Sequence, residues 1–216
     1  IGVDVNDEML ALARWAAPRV AEQLGFANVE FRRASIQDLA LDLERLDAWL
    51  AQHPVKCSAD LAALESEQLR LRRDAPLVAD ASIDLVISNC VLNLVRDDDK
   101  RRLLREIFRV LAVGGRIASS DIVSDEPIPQ HLKDDPRLWS GCISGAFHEL
   151  EFLRELETAG FHGIAIDRWE KEPFAVVEGM IMRVYEVAPI PTVPTVQFFA
   201  IMTAHPLVGI FGSSYS

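Results

Sequence analysis

The chain has 216 residues, half of them hydrophobic and a quarter charged, the make-up of a soluble globular protein with one real core. Its formal charge of −11 excludes a nucleic-acid backbone or an anionic membrane surface as the natural partner, because either needs a basic face. Three widely spaced cysteines, Cys57, Cys90 and Cys142, predict no disulfide framework and fit a reducing cytoplasm, and no signal peptide is visible.

The first residues, Ile1 to Val5, read as the end of a buried strand. Asn6 can cap the helix that follows, with Asp7 and Glu8 in its first turn and Met9, Leu12, Ala13, Ala16 and Val20 at helical spacing. Pro18 predicts a kink or a restart, and Gly25 an end. Val29 to Phe31 alternate like a strand. Residues 41–80 read as a helical insertion. Leu43, Leu46 and Leu50 mark one short helix; Ser58 can cap a second, with Leu61, Leu64 and Leu71 on its inner face.

Ile83 to Ser88 form a near-continuous apolar run suited to a parallel sheet. Leu104, Ile107, Phe108 and Leu111 predict an amphipathic helix ended by Gly114-Gly115, and Arg116 to Asp121 a returning strand. Phe152, Leu153, Leu156 and Ala159 mark another helix, closed by Gly160, and Ile164 and Ile166 open a further strand. Strands alternating with helices predict a doubly wound, mostly parallel α/β sheet. The tail after Val187 carries no Asp, Glu, Lys or Arg; its apolar part is broken by His205 and Pro206 and does not read as a membrane span. The domain division expected is 1–170 for a partial α/β domain and 171–216 for a partial C-terminal segment with an atypical apolar tail.

Several residues can carry chemistry. Asp4, at a strand tip before a helix, can accept hydrogen bonds from both ribose hydroxyls of a nucleotide cofactor, or can simply cap the helix. The glycine-rich turn that normally precedes such an acid is not in the chain, so the expected fold lacks its first strand and glycine-rich loop. Ile36 can lie on a flat purine, and Gln37 or Asp38 can accept its exocyclic amine. Asn89 stands at the carboxyl end of the strongest predicted strand, where ligands of open α/β sheets bind. Cys90 follows it; a buried cysteine also serves as a small hydrophobe. Cys142 lies between Gly141 and Gly145, with Ser140, Ser144 and Trp139 close in sequence. A thiolate there suits soft metals and metalloids, and a packing cysteine in a tight turn is the other reading. No CxxC, HExxH or GxSxG pattern occurs, and the five histidines are scattered.

In order, GVDVNDEML, SIQDL, DLVISNCVLNL, GGRIASSDIV and DPRLWSGCISGAF, followed by a helix ending AGF, are similar to the arsenite methyltransferase branch of the class I S-adenosylmethionine-dependent methyltransferases. The resemblance covers roughly residues 1 to 180 apart from the insertion. It implies S-adenosylmethionine as cofactor and trivalent arsenic as substrate, with no metal cofactor. Asp4 then matches the ribose-binding acid, Ile36 and Gln37 the adenine side, and Asn89 the methionine side; Val5 and Met9 are counted with Asp4 among the cofactor-binding residues. Cys142 matches a thiolate that ligates arsenic, whose lone pair attacks the sulfonium methyl group. The family's further arsenic-binding cysteines, before the glycine-rich loop and in the C-terminal part, have no counterpart here, and a typical acid of the adenine loop is Ser35. The resemblance also implies a thiol reductant as partner, a cytoplasmic setting and a role in arsenic detoxification. A methyltransferase for a small organic molecule and a non-catalytic metalloid-binding fragment are the rival readings.

Overall fold

In the computed structural model residues 1–169, 175–177, 180–187 and 198–201 are described. Strand β1 (Gly2–Asp4) is buried at every position and pairs in parallel with β2 (Phe31–Arg33), Val3 opposite Arg32. Helix α1 (Asp7–Leu24) joins them. Asn6 caps it, its side-chain oxygen accepting from the amides of Glu8 and Met9, and Gly25 closes it at φ +78°. The helix does not restart at Pro18. The ring removes only the amide that would have bonded the Arg14 carbonyl, and Arg14 lies on an exposed turn.

The predicted hairpin is present as α2 (Leu43–Leu50) and α3 (Ser58–Asp74), with Leu41, Leu46 and Leu71 as its small core. Leu61 is 48 % exposed and is not part of the inner face. Cys57, not Ser58, stands at the cap of α3: its amide donates to the Asp60 carboxylate, and its thiol reaches the same oxygen at 3.3 Å. The hairpin is fastened through Asp38, whose carboxylate binds Arg72 of α3 at 2.8 Å and Arg102 at 3.0 Å.

Strand β3 (Ile83–Asn89) leads through a short 3₁₀ turn (Leu92–Leu94) into α4 (Asp97–Val110). That helix buries Leu103, Leu104, Ile107 and Val110, each contributing roughly 1.5–3 kcal/mol. Phe108 instead meets Phe161 edge-on. The helix stops before the glycine pair, because Leu111 already belongs to β4 (Leu111–Ser124). Two short helices, α5 (Gln130–Lys133) and α6 (Pro136–Ser140), precede β5 (Phe147–His148) and α7 (Glu149–Ala159), which Gly160 ends at φ +111°. Strands β6 (Ile166–Trp169), β7 (Ala175–Val177), β8 (Met180–Val187) and β9 (Phe198–Ile201) complete the described elements.

The sheet order is β2-β1-β9-β3-β4-β8-β6, with β5 beside β4 and β7 beside β8. Pairing is parallel from β2 to β4 and antiparallel at β8, β6 and β7. This is the predicted α/β class with a mostly parallel sheet. Strand β9, which the sequence reading leaves unassigned, sits in the middle, parallel to β1 on one side and β3 on the other. The rest of the tail after Val187 lies outside the described residues. Among the described residues no helix is long and apolar enough to cross a membrane.

Candidate active site

Parallel strands β1 and β3 bring their carboxyl ends to one edge of the sheet, and two features meet there. The first is a cavity of about 380 Å³ whose lining includes Asp4, Val5, Ile36, Gln37, Val91 and Arg96. That volume suits a small-molecule site. Asp4 is held at the tip of β1 because its Oδ1 accepts from the amide of Asn6 at 2.8 Å. Its Oδ2 is buried and has no hydrogen-bond partner. Burial raises the Asp4 pKa, against backbone hydrogen bonds from Asn6 and Val5. A buried acceptor without a donor is costly, so a hydroxyl-bearing ligand is what this oxygen fits.

Four predicted cofactor residues, Asp4, Val5, Ile36 and Gln37, are thus together. Two others are not among the lining residues: Met9 is half-buried on α1, and Asn89 is exposed at the end of β3. Asp38 does not face a purine amine. Its carboxylate is occupied by the two guanidinium groups that hold the hairpin.

The second feature is a pair of thiols. Cys90 follows β3 and Cys142 follows α6, 52 residues apart, yet the Cys142 thiol donates to the Cys90 carbonyl at 3.4 Å. Both cysteines have left-handed backbones, Cys90 at φ +53° and Cys142 at φ +60°. Non-glycine residues reach this region at a cost of about 1–3 kcal/mol and cluster where function needs them. Cys142 follows Gly141 in the turn after α6. It is 2 % exposed, packed with Ile122, Ile128, Leu132, Ala146, Met180 and Met182, while Cys90 is half-buried beside the same cluster. The Ser140 and Ser144 hydroxyls are turned to backbone carbonyls, of Arg137 and of Leu132, and serve the local turns.

Burial, then Cys90, then Asp121 push the Cys142 thiol up to about 12, and burial with Asp121 raises Cys90 as well. Both are therefore thiols at neutral pH, not the thiolate expected from the loop's composition. Asp121, on β4, is the buried acid beneath them. Its Oδ1 accepts from the amide of Leu92 at 3.1 Å and its Oδ2 from the Ser119 hydroxyl at 2.5 Å. Burial nevertheless lifts its pKa to about 7. The two features adjoin through the chain itself: Val91 lines the Asp4 cavity and Cys90 is the residue before it. The Cys90–Cys142 meeting and the Asp121 carboxylate were not legible as a unit, because nothing local in the sequence joins positions 90, 121 and 142.

The chain is similar to known methyltransferases. A family model described as a methyltransferase domain matches residues 68–160. An arsenite methyltransferase from Aquipseudomonas alcaligenes is 33 % identical over 161 residues, 74 % of this chain and 36 % of its own. One from Mus musculus is 37 % identical over 162 residues, 74 % of this chain and 34 % of its own. Over 74 % of its length the chain is similar to arsenite methyltransferases. It spans about a third of the length of these relatives. The crystal structure of an arsenic(III) S-adenosylmethionine methyltransferase from Chlamydomonas reinhardtii matches with a TM-score of 0.60 and 26 % identity. The match covers 88 % of this chain and 55 % of that one.

Proposed function

We propose that this chain carries the methyl-acceptor site of an S-adenosylmethionine-dependent arsenite methyltransferase, with Cys90 and Cys142 as the two arsenic ligands. The observation that carries the reading is that the buried Cys142 thiol reaches the backbone carbonyl of half-buried Cys90, both residues on left-handed backbones, beside the Asp4 cavity. Soft thiol sulfur matches trivalent arsenic, and two thiols condense with arsenite to two As–S bonds and two waters. No separate base is needed, which suits thiols whose protons are held as tightly as these. Arsenic bound in this way keeps its lone pair, the nucleophile.

Asp4 would hold the nucleotide cofactor through a ribose hydroxyl donating to its orphaned Oδ2, with Ile36 and Gln37 at the base. When bound, S-adenosylmethionine supplies an electrophilic methyl group. The protein's share is alignment and the exclusion of water around buried thiols. A thiol reductant is the expected partner, since methyl transfer leaves arsenic pentavalent. A reducing cytoplasm keeps both cysteines reduced, and arsenic detoxification is the role this chemistry serves.

X-ray absorption at the arsenic edge tests the reading, in a Cys57→Ser background that removes the exposed thiol. Two As–S bonds are expected with arsenite, and one or none after Cys142→Ser or Cys90→Ser. An unchanged sulfur count in both variants would sink it. Asp4→Ala should abolish S-adenosylmethionine binding in calorimetry of a chain that binds it.

A further inference from the structure

Lys100 is a buried cation that the proposed chemistry does not use, and it is 4 % exposed. An ammonium taken out of water needs partners. Its Nζ donates to Asp97 Oδ1 at 2.6 Å and to the Gly145 carbonyl at 2.7 Å, and it lies 4.3 Å above the ring of Phe147. Asp97 also accepts from Lys133 of α5. Burial lowers the Lys100 pKa, and Asp97 raises it. A methionine would fill the same space without a desolvation cost. What the ammonium adds is a grip on one carbonyl oxygen, three residues beyond Cys142.

The same glycine is held from its other side. A β-carbon built at Gly145 would lie 1.9 Å from the carbonyl oxygen of Asn93, so glycine is required there. Asn93 belongs to the turn that follows Cys90. It is fully buried and tied to β4 through its amide, which donates to the Ile122 carbonyl at 2.6 Å. The loop of Cys142 is therefore clasped between α4, through Lys100, and the loop of Cys90, through Asn93.

We infer that Lys100 is a positioning residue for the thiol pair: by holding the Gly145 carbonyl it sets Cys142 at the spacing from Cys90 that one metalloid atom bridges. The inference rests on the arsenic-ligand reading. Bridging by one atom depends on spacing, whereas capture by a single thiol does not.

The test compares arsenite, which needs both thiols, with methylmercury, which needs one. The proteins are the Cys57→Ser chain and its Lys100→Met, Lys100→Arg and Asp97→Asn versions. Expected for Lys100→Met is an arsenite affinity on the order of 10-fold or more weaker, with methylmercury affinity unchanged. Lys100→Arg, which keeps a donor, should recover part of the loss. Asp97→Asn, at a half-exposed position, should weaken arsenite in the same direction by less and remains informative if Lys100→Met does not fold. Parent-like arsenite affinity in every folded variant overturns the inference and leaves the arsenic reading intact. So does an equal loss for both probes, which marks Lys100 as a general packing residue. If the parent binds methylmercury but not arsenite, the arsenic reading falls and the inference with it.

Discussion

Cys90 and Cys142 hold left-handed backbones that an ordinary side chain avoids, and each pays a conformational penalty for a thiol in that place. The penalty can be measured. Cys90→Gly should be more stable than Cys90→Ala by roughly 1 kcal/mol in urea unfolding, because only glycine adopts φ +53° without strain. The reverse order would mean that the backbone relaxes in solution. Asp121 gives the second prediction at this scale. Its folded pKa, about 7, lies above the ordinary 3.8, so between those values the folded state binds more protons than the unfolded one. Its contribution therefore favours folding at low pH, is lost as pH rises from about 4 to about 7, and is level above that. Asp121→Asn can still accept from Leu92 and meet Ser119, and it does not titrate. Unfolding free energies measured across this window should lose that downward slope in the variant; an identical slope in both proteins would place the titrating group elsewhere.

Among elements, the helical hairpin shows how carboxylates substitute for a core. Its apolar cluster has only Leu41, Leu46 and Leu71 fully buried, too few to dock two helices firmly. Asp38 ties α3 down by joining Arg72 to Arg102, as the Arg32–Asp42 and Arg33–Asp47 pairs tie α2 to β2. Asp38→Asn removes the charge from both of its pairs. Amide exchange in α3 should then accelerate, and proteolysis in the connection around residues 51–57 should increase, while amides of β3 and β4 keep their protection. Uniform acceleration throughout would show that Asp38 supports the whole domain rather than the hairpin. The extent of the hairpin was readable from leucine spacing and from Pro54; its attachment was not. Asp38 follows Gln37 in a loop suited to a purine, and its guanidinium partners come from residues 34 and 64 positions away.

For the whole molecule, the decisive element is β9. It lies between β1 and β3, in register with Gly2 on one side and Ile87 on the other at Ala200, and so couples the strand that ends in Asp4 to the strand that precedes Cys90. Proline cannot donate to a ladder, so Ala200→Pro should cost about 1–3 kcal/mol for the partner left unpaired and broaden thermal unfolding followed by near-ultraviolet circular dichroism. Unaltered, sharp unfolding would show that β9 does not hold the two halves together. The sequence by itself determined the fold class, through apolar runs alternating with amphipathic helices. It also determined the caps at Asn6 and Gly25, the hairpin, and four residues of one cavity, since Asp4–Val5 and Ile36–Gln37 each follow a short strand and those strands are neighbours. These are short-range patterns that backbone geometry converts directly into structure. Only the tertiary structure decided that the Cys142 thiol reaches the Cys90 carbonyl, that Asp121 is buried close enough to act on both, that Lys100 grips Gly145, and that Phe198–Ile201 fills the centre of the sheet. Such contacts join residues tens to hundreds of positions apart, and burial, which sets their protonation, exists only once the chain has closed around them.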